Sequence, residues 1–153
     1  MAYQHVLYQT GDGIASITVN RPPLNVLNQQ AMDELEQALI SARDDAEVRV
    51  VILTGAGEEA FIAGGDITEI RDMVSKGPLH AREAFARRGQ RLVTTVERLG
   101  KPVIAAVNGY ALGGAGHLAR VESIRAADRA TLTRGYSSMA RCLRCRYAFR
   151  TAL

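Results

Sequence analysis

Lys101-Pro102-Val103-Ile104-Ala105-Ala106-Val107-Asn108-Gly109-Tyr110-Ala111-Leu112-Gly113-Gly114 runs from a strand, Val103 to Val107, directly into a glycine-rich loop. Upstream the same sentence is spelled again. Val48 to Leu53 (VRVVIL) is β-branched and almost continuously apolar, as expected of a strand covered on both faces, and it stops at Thr54-Gly55-Ala56-Gly57. A second glycine-rich loop, Phe61 to Ile67 (FIAGGDI), follows and leads into a short helix through Met73.

Farther out, Ile14 to Val19 (IASITV) reads as a strand ended by Asn20-Arg21-Pro22-Pro23. Asn28 is placed to cap a helix in which Met32, Leu35, Leu39 and Ile40 recur at helical spacing and Asp33, Glu34 and Glu36 sit early. Gly77-Pro78 separates the short helix from a long amphipathic one, Leu79 to Leu99, with Phe85, Leu92, Val96 and Leu99 on its apolar side and Gly100 as its stop. Recurring strand, loop and helix indicate an α/β fold with a largely parallel sheet, in which ligands bind beyond the carboxyl ends of the strands. Both glycine loops lie at such ends.

With 153 residues the chain suits one domain. Its 47% hydrophobic and 23% charged residues are those of an ordinary globular protein, not of a disordered or fibrous one. No apolar run reaches the roughly 18 residues of a membrane span, and the N-terminus has no secretory pattern, so a cytoplasmic location without membrane association is the expectation. The net charge of +3 is unevenly placed. Up to Ala119 there are 11 Lys and Arg against 14 Asp and Glu; from Arg120 onward there are eight arginines against two acids. The chain divides accordingly into a core, residues 1–119, and an irregular Arg-rich tail, residues 120–153.

Paired glycines let a ligand approach bare backbone, so Gly64-Gly65 and Gly113-Gly114 can aim two amides at one oxygen. That is an oxyanion hole, which favours a carbonyl gaining negative charge.

Three segments carry a resemblance. Phe61-Ile62-Ala63-Gly64-Gly65-Asp66-Ile67 resembles the (A)F-x-A-G-x-D-[IL] signature of the enoyl-CoA hydratase/isomerase (crotonase) family, and Lys101 to Gly114 resembles that family's second signature nearly letter for letter. Asn20-Arg21-Pro22-Pro23 with Leu24-Asn25-Val26-Leu27-Asn28 is similar to its N-terminal element, which helps hold the CoA moiety. The similarity spans roughly residues 5–116. It implies a crotonase-like spiral of ββα units, a CoA-thioester substrate, trimers or pairs of trimers, and no cofactor, since coenzyme A belongs to the substrate. It further implies that the amides of Ala63 and Gly114 grip the thioester oxygen and stabilise an enolate, with Gly64, Gly65, Asp66, Ile67 and Gly113 shaping the substrate loops. Asp66 reads as a helix N-cap rather than a catalytic acid.

The chain departs from the pattern at the acids. His117 stands where hydratases of the family place a glutamate, and Arg134-Gly135-Tyr136-Ser137 stands where the second, in Q-P-E, is due. Loss of both removes the groups that activate water and protonate C2, each worth a factor of about 10²–10⁴. His117 has a side chain able to take up that work near neutral pH. The expected activity is water addition to 2-enoyl-CoA; the alternatives are a truncated, inactive relative and an isomerase of the same family. Ile124 to Leu132 still resembles the family's I-R-I-A-A-D-x-A-x-F. Beyond it, if Thr133 to Tyr136 is written with the codons ACC CGA GGT TAC and read one nucleotide later, it gives Pro-Glu-Val, the element due there, so an out-of-frame tail is the expectation that resequencing checks.

Other patterns are weak. Gly114-Ala115-Gly116-His117-Leu118-Ala119 fits a dinucleotide fingerprint, but Arg134 occupies the region where its acid is due. Cys142-Leu143-Arg144-Cys145 has no second pair and no histidine at ligand spacing, so no metal is expected. The basic tail shows no nucleic-acid recognition module, and no nucleic-acid partner is expected.

Overall fold

A computed structural model describes residues 3–114, 118 and 124–127, the last four as backbone. The chain opens with β1 (Val6–Gly11), β2 (Ile14–Val19) and α1 (Gln29–Asp44), then β3 (Val50–Gly55), β4 (Ala60–Ile62) and α2 (Ile67–Ser75). Next come α3 (Pro78–Ala81), a π turn (Arg82–Ala86) and α4 (Arg87–Glu97), then β5 (Val103–Val107), β6 (Tyr110–Ala111) and β7 (Ile124–Ala127). Two ββα units are thus followed by the two strands of a third.

The main sheet has the order β1-β2-β3-β5-β7, with β1 antiparallel to β2 and every other neighbour parallel. Its core face is set by alternation: Ala15, Ile17 and Val19 of β2, Val51 and Leu53 of β3, and Val103, Ala105 and Val107 of β5 are buried. Val50, Ile52 and Thr54 of β3 are only half-buried, so among the described residues the strand is fully covered on one face, where two were expected. That covering comes from α1 through Ala31, Met32, Leu35, Ala38, Leu39 and Ala42, and from α4 through Leu92 and Val96.

Local signals account for the helix ends. Asn28 Oδ1 accepts the Ala31 amide at 2.8 Å and caps α1. At the other end Lys101 Nζ donates to the carbonyls of Ala42, at 2.7 Å, and Asp45, at 2.5 Å, placing a cation on the negative end of the helix dipole. The long helix expected from Leu79 to Leu99 is present but interrupted: the Arg87 amide bonds to the Arg82 carbonyl five residues back, which widens the turn around Phe85.

The division at residue 119 falls short of the sheet. Ile124–Ala127 pair with β5 as its outer parallel neighbour. The remainder of the tail, including Cys142 and Cys145, lies outside the described residues, as does the dinucleotide-like stretch apart from Gly114 and Leu118.

Candidate active site

β4 and β6 are too short to be read from periodicity, yet they form a second, two-stranded parallel sheet. Tyr110 N donates to Glu59 O and Leu112 N to Ile62 O, both at 3.0 Å. Because the strands are parallel, the loops leaving their carboxyl ends travel side by side. A carbon built at the Cβ position of Gly113 would lie 3.9 Å from Gly64 Cα, and one at Gly64 would lie 3.4 Å from the Leu112 carbonyl oxygen. Gly64 at φ +94° and Gly113 at φ +57° take backbone conformations that L side chains resist, and these let the loops turn at the point of closest approach.

The N-terminal element borders the other edge of the same loop. Leu27 N donates to Gly64 O at 2.8 Å and Asp66 N to Leu27 O at 2.9 Å, a parallel bridge between Leu27 and Gly65. Ala63 N donates to Leu24 O at 3.1 Å. The three sequence motifs therefore meet in space, with residues 60–66 between residues 24–27 on one flank and residues 110–113 on the other.

This arrangement sorts the expected donors. The Ala63 proton is committed to Leu24, so Ala63 is not a free donor in this conformation. In a parallel bridge the partner bonds to the peptide groups before and after the bridged residue, so Gly65's own N–H faces away from Leu27, toward the edge where β6 lies. Among the described residues the amides of Gly65 and Gly114 have no acceptor. Gly65 is half-buried, Gly114 is exposed at the start of a helical turn, and none of the described residues beyond its chain neighbours stands within 4 Å of where a Gly114 side chain would be. His117 lies outside the described residues.

Asp66 is held at both oxygens. Oδ1 accepts the amides of Thr68 at 3.0 Å and Glu69 at 3.3 Å, capping α2, and Oδ2 accepts from Arg21 Nη2 at 2.7 Å. Burial acts to raise its pKa, but the Arg21 hydrogen bond and charge with the two amides outweigh that, and the carboxyl is held below the usual range. A carboxylate so engaged is a poor proton acceptor. Arg21 Nη1 also reaches Val26 O at 3.3 Å, and Glu69 accepts from Gln29 N and Gln29 Nε2, so the start of α2 is tied to the start of α1. Ile67, expected at the substrate loop, is 81% exposed.

Two asparagines of the motifs, given no role by the sequence reading, brace the turn between β3 and β4. Asn25 is fully buried; its Nδ2 donates to Ala56 O and Ala60 O at 2.9 and 2.8 Å, and its Oδ1 accepts from Arg21 N. Asn108 holds the turn from the other side: Nδ2 donates to Gly55 O and Gly57 O at 2.8 and 2.6 Å, and Oδ1 accepts from Gly55 N. Both partners are distant in sequence, so spacing gives no hint of them.

A polar cavity of about 600 Å³, lined by residues 10–14 and 45–49, lies at the amino ends of the parallel strands, opposite the glycine loops. Among the described residues no three His, Cys, Asp or Glu side chains gather to hold a metal. No helix there is long and apolar enough to cross a membrane.

Comparison with known proteins agrees with this layout. Residues 9–136 match the family model described as enoyl-CoA hydratase/isomerase. The chain is 38% identical over 120 residues to a crotonyl-CoA hydratase of Syntrophomonas wolfei, an alignment covering 78% of this chain and 45% of that protein. It is 41% identical over 129 residues to a short-chain-enoyl-CoA hydratase of Clostridium acetobutylicum, covering 84% and 48%. The crystal structure of an enoyl-CoA hydratase from Bacillus anthracis superimposes with a TM-score of 0.73 at 36% identity, covering 81% of this chain and 47% of that one. An enoyl-CoA hydratase/isomerase from Xanthobacter autotrophicus gives 0.75 at 36%, covering 82% and 46%. The chain thus spans about half the length of the relatives it matches. With its ββα units and its likeness to these proteins over most of its length, the chain belongs to the enoyl-CoA hydratase/isomerase family.

Proposed function

We propose that the two glycine loops form an oxyanion hole for the carbonyl of an acyl-CoA thioester, with Gly65 and Gly114 as donors, and that the reaction served is water addition to a 2-enoyl-CoA. The observation that supports this reading is the side-by-side exit of the loops from β4 and β6, with Gly64 and Gly113 in near contact and no acceptor for the Gly65 and Gly114 amides among the described residues. Ala63, the donor chosen from the sequence, keeps a supporting part: its bond to Leu24 fixes the strand that presents Gly65. Two fixed donors on the oxygen of a conjugated thioester draw electron density from C3, so water adds there and an enolate forms at C2. Protonation at C2 completes the addition. His117, at the position of a family glutamate, is the candidate for this proton traffic.

Hydration of crotonyl-CoA, followed by loss of absorbance of the conjugated thioester, tests the proposal. Turnover above buffer, abolished in the His117→Ala variant, supports it. The missing carboxylates favour a second reading, an acyl-CoA binder without turnover. Saturable binding of crotonyl-CoA at background rates selects that reading, and absence of binding by the folded protein overturns both.

A further inference from the structure

We propose that Phe85 is a positioning residue for the thioester site, acting through Gly65; this rests on the reading of the Gly65 amide as a carbonyl donor. Gly65 has no side chain, and the space where one would stand is filled from two elements. A carbon built at its Cβ position would lie 2.4 Å from Phe85 Cζ, 3.2 Å from Phe85 Cε1 and 2.9 Å from Ile70 Cδ1. Carbon atoms ordinarily pack at about 3.5–4.0 Å, so the ring edge and the Ile70 methyl are seated directly against the Gly65 backbone.

The helix is built to bring Phe85 there. A regular helix would keep Phe85 close to the line of Leu92 and Val96, seven and eleven residues on, both buried in the core. Phe85 instead lies within the π turn, whose extra residue changes its angular spacing from that stripe, and it is half-buried at the core's edge. Such turns are rare and concentrate where a helix serves a site.

The neighbouring hydrogen bonds orient the Gly65 peptide but leave its position toward the helix to packing. Downstream, Asp66 is fixed by the α2 cap and by Arg21. Upstream, the Gly64 carbonyl is held by Leu27, but Gly64 itself, at φ +94°, is a pivot. Leu27 thus sets the direction of the Gly65 N–H through the shared peptide plane, and the Phe85 ring, packed where a Gly65 side chain would stand, sets the position from which it points. Small displacements of such a donor cost about 10- to 100-fold in rate.

The test binds crotonyl-CoA carrying ¹³C at the thioester carbonyl to the full chain and reads the carbonyl stretch by isotope-edited infrared spectroscopy, a measurement that needs no turnover. Kcat and KM for hydration accompany it. In Phe85→Ala the bound carbonyl band is expected to return toward its position in free crotonyl-CoA, with kcat falling about 10-fold or more and KM changing little. Phe85→Leu should lie between parent and Phe85→Ala. Gly65→Ala alone should weaken the shift, because its methyl meets the ring, and Gly65→Ala/Phe85→Leu should recover it. An unchanged band in both single Phe85 variants, or losses that simply add in the double variant, overturns the proposal. An unshifted band in the unmodified protein removes the oxyanion-hole reading itself, which distinguishes that failure from a failure of Phe85.

Discussion

Asn25 is the one fully buried polar residue among those described, and its amide joins the N-terminal element to the turn that launches β4. Asn25→Ala leaves one buried and one half-buried carbonyl without their donor, and a loss of about 1–3 kcal/mol in unfolding free energy is expected in a denaturant titration. Gly114 is the contrasting case. Among the described residues its side-chain position is open and helical backbone begins there, so Gly114→Pro removes an amide proton at a place in a helix that accepts proline. Thioester turnover should fall about 10²-fold with the thermal midpoint nearly unchanged, which steady-state kinetics beside a melting curve would check. At this scale the sequence disclosed what is local. The caps Asn28 and Asp66 bond within three residues of themselves, whereas the acceptors of Ala63 and Asn25 lie some 30 to 40 residues away and depend on which loops meet.

Among the elements, β4 and β6 hold the glycine loops together although they contribute three and two residues. Gly109 stands at their crossing: a carbon at its Cβ position would lie 2.3 Å from Glu59 O and 2.8 Å from Ala60 N, both backbone atoms that cannot swing aside. Gly109→Ala should therefore pry the strands apart and destabilise the fold by about 1–3 kcal/mol, with acyl-CoA binding lost before the global unfolding midpoint. Calorimetric titration with crotonyl-CoA at rising urea would show the separation. The long strands β2, β3 and β5 were legible because burial on the core face imposes a β-branched pattern, while β4 and β6 are too brief to show one. β1 was also overlooked, although Asp12-Gly13, both at positive φ between the paired residues Gly11 and Ile14, is a recognisable two-residue hairpin turn. The π turn has no sequence signature that periodicity could detect.

For the whole molecule, acid is the informative stress. Burial tends to raise the pKa of Glu34, but the amides of His5 and Gln4 and the side chain of Gln30 outweigh it, so Glu34, like Asp66, titrates below its usual range. A carboxyl with a lower pKa folded than unfolded contributes stability above its unfolded value, about 4, and that contribution disappears as pH drops through the folded value. The thermal midpoint should hold level between about pH 8 and 5 and decline below about pH 4, and Asp66→Asn should flatten part of that decline. The ion pairs of Arg88 and Arg91 with Asp33 and Glu36, which bind α4 to α1, lie half-exposed at the surface and should add little in ordinary salt. The fold class was readable at this level because repeated strand-to-helix units leave few packings. The meeting of three motifs was readable only as an implication of resemblance, since nothing in their spacing states that they touch.

The bond from Leu112 to Ile62 and the bridge from Leu27 to Gly65 close chain segments of roughly 50 and 40 residues upon one another. A ribosome makes Leu27 early, Gly65 midway and Leu112 last of the three. Residues 60–66 therefore wait with one flank bare: until β6 emerges and docks, nothing closes the side that the Leu27 bridge leaves open.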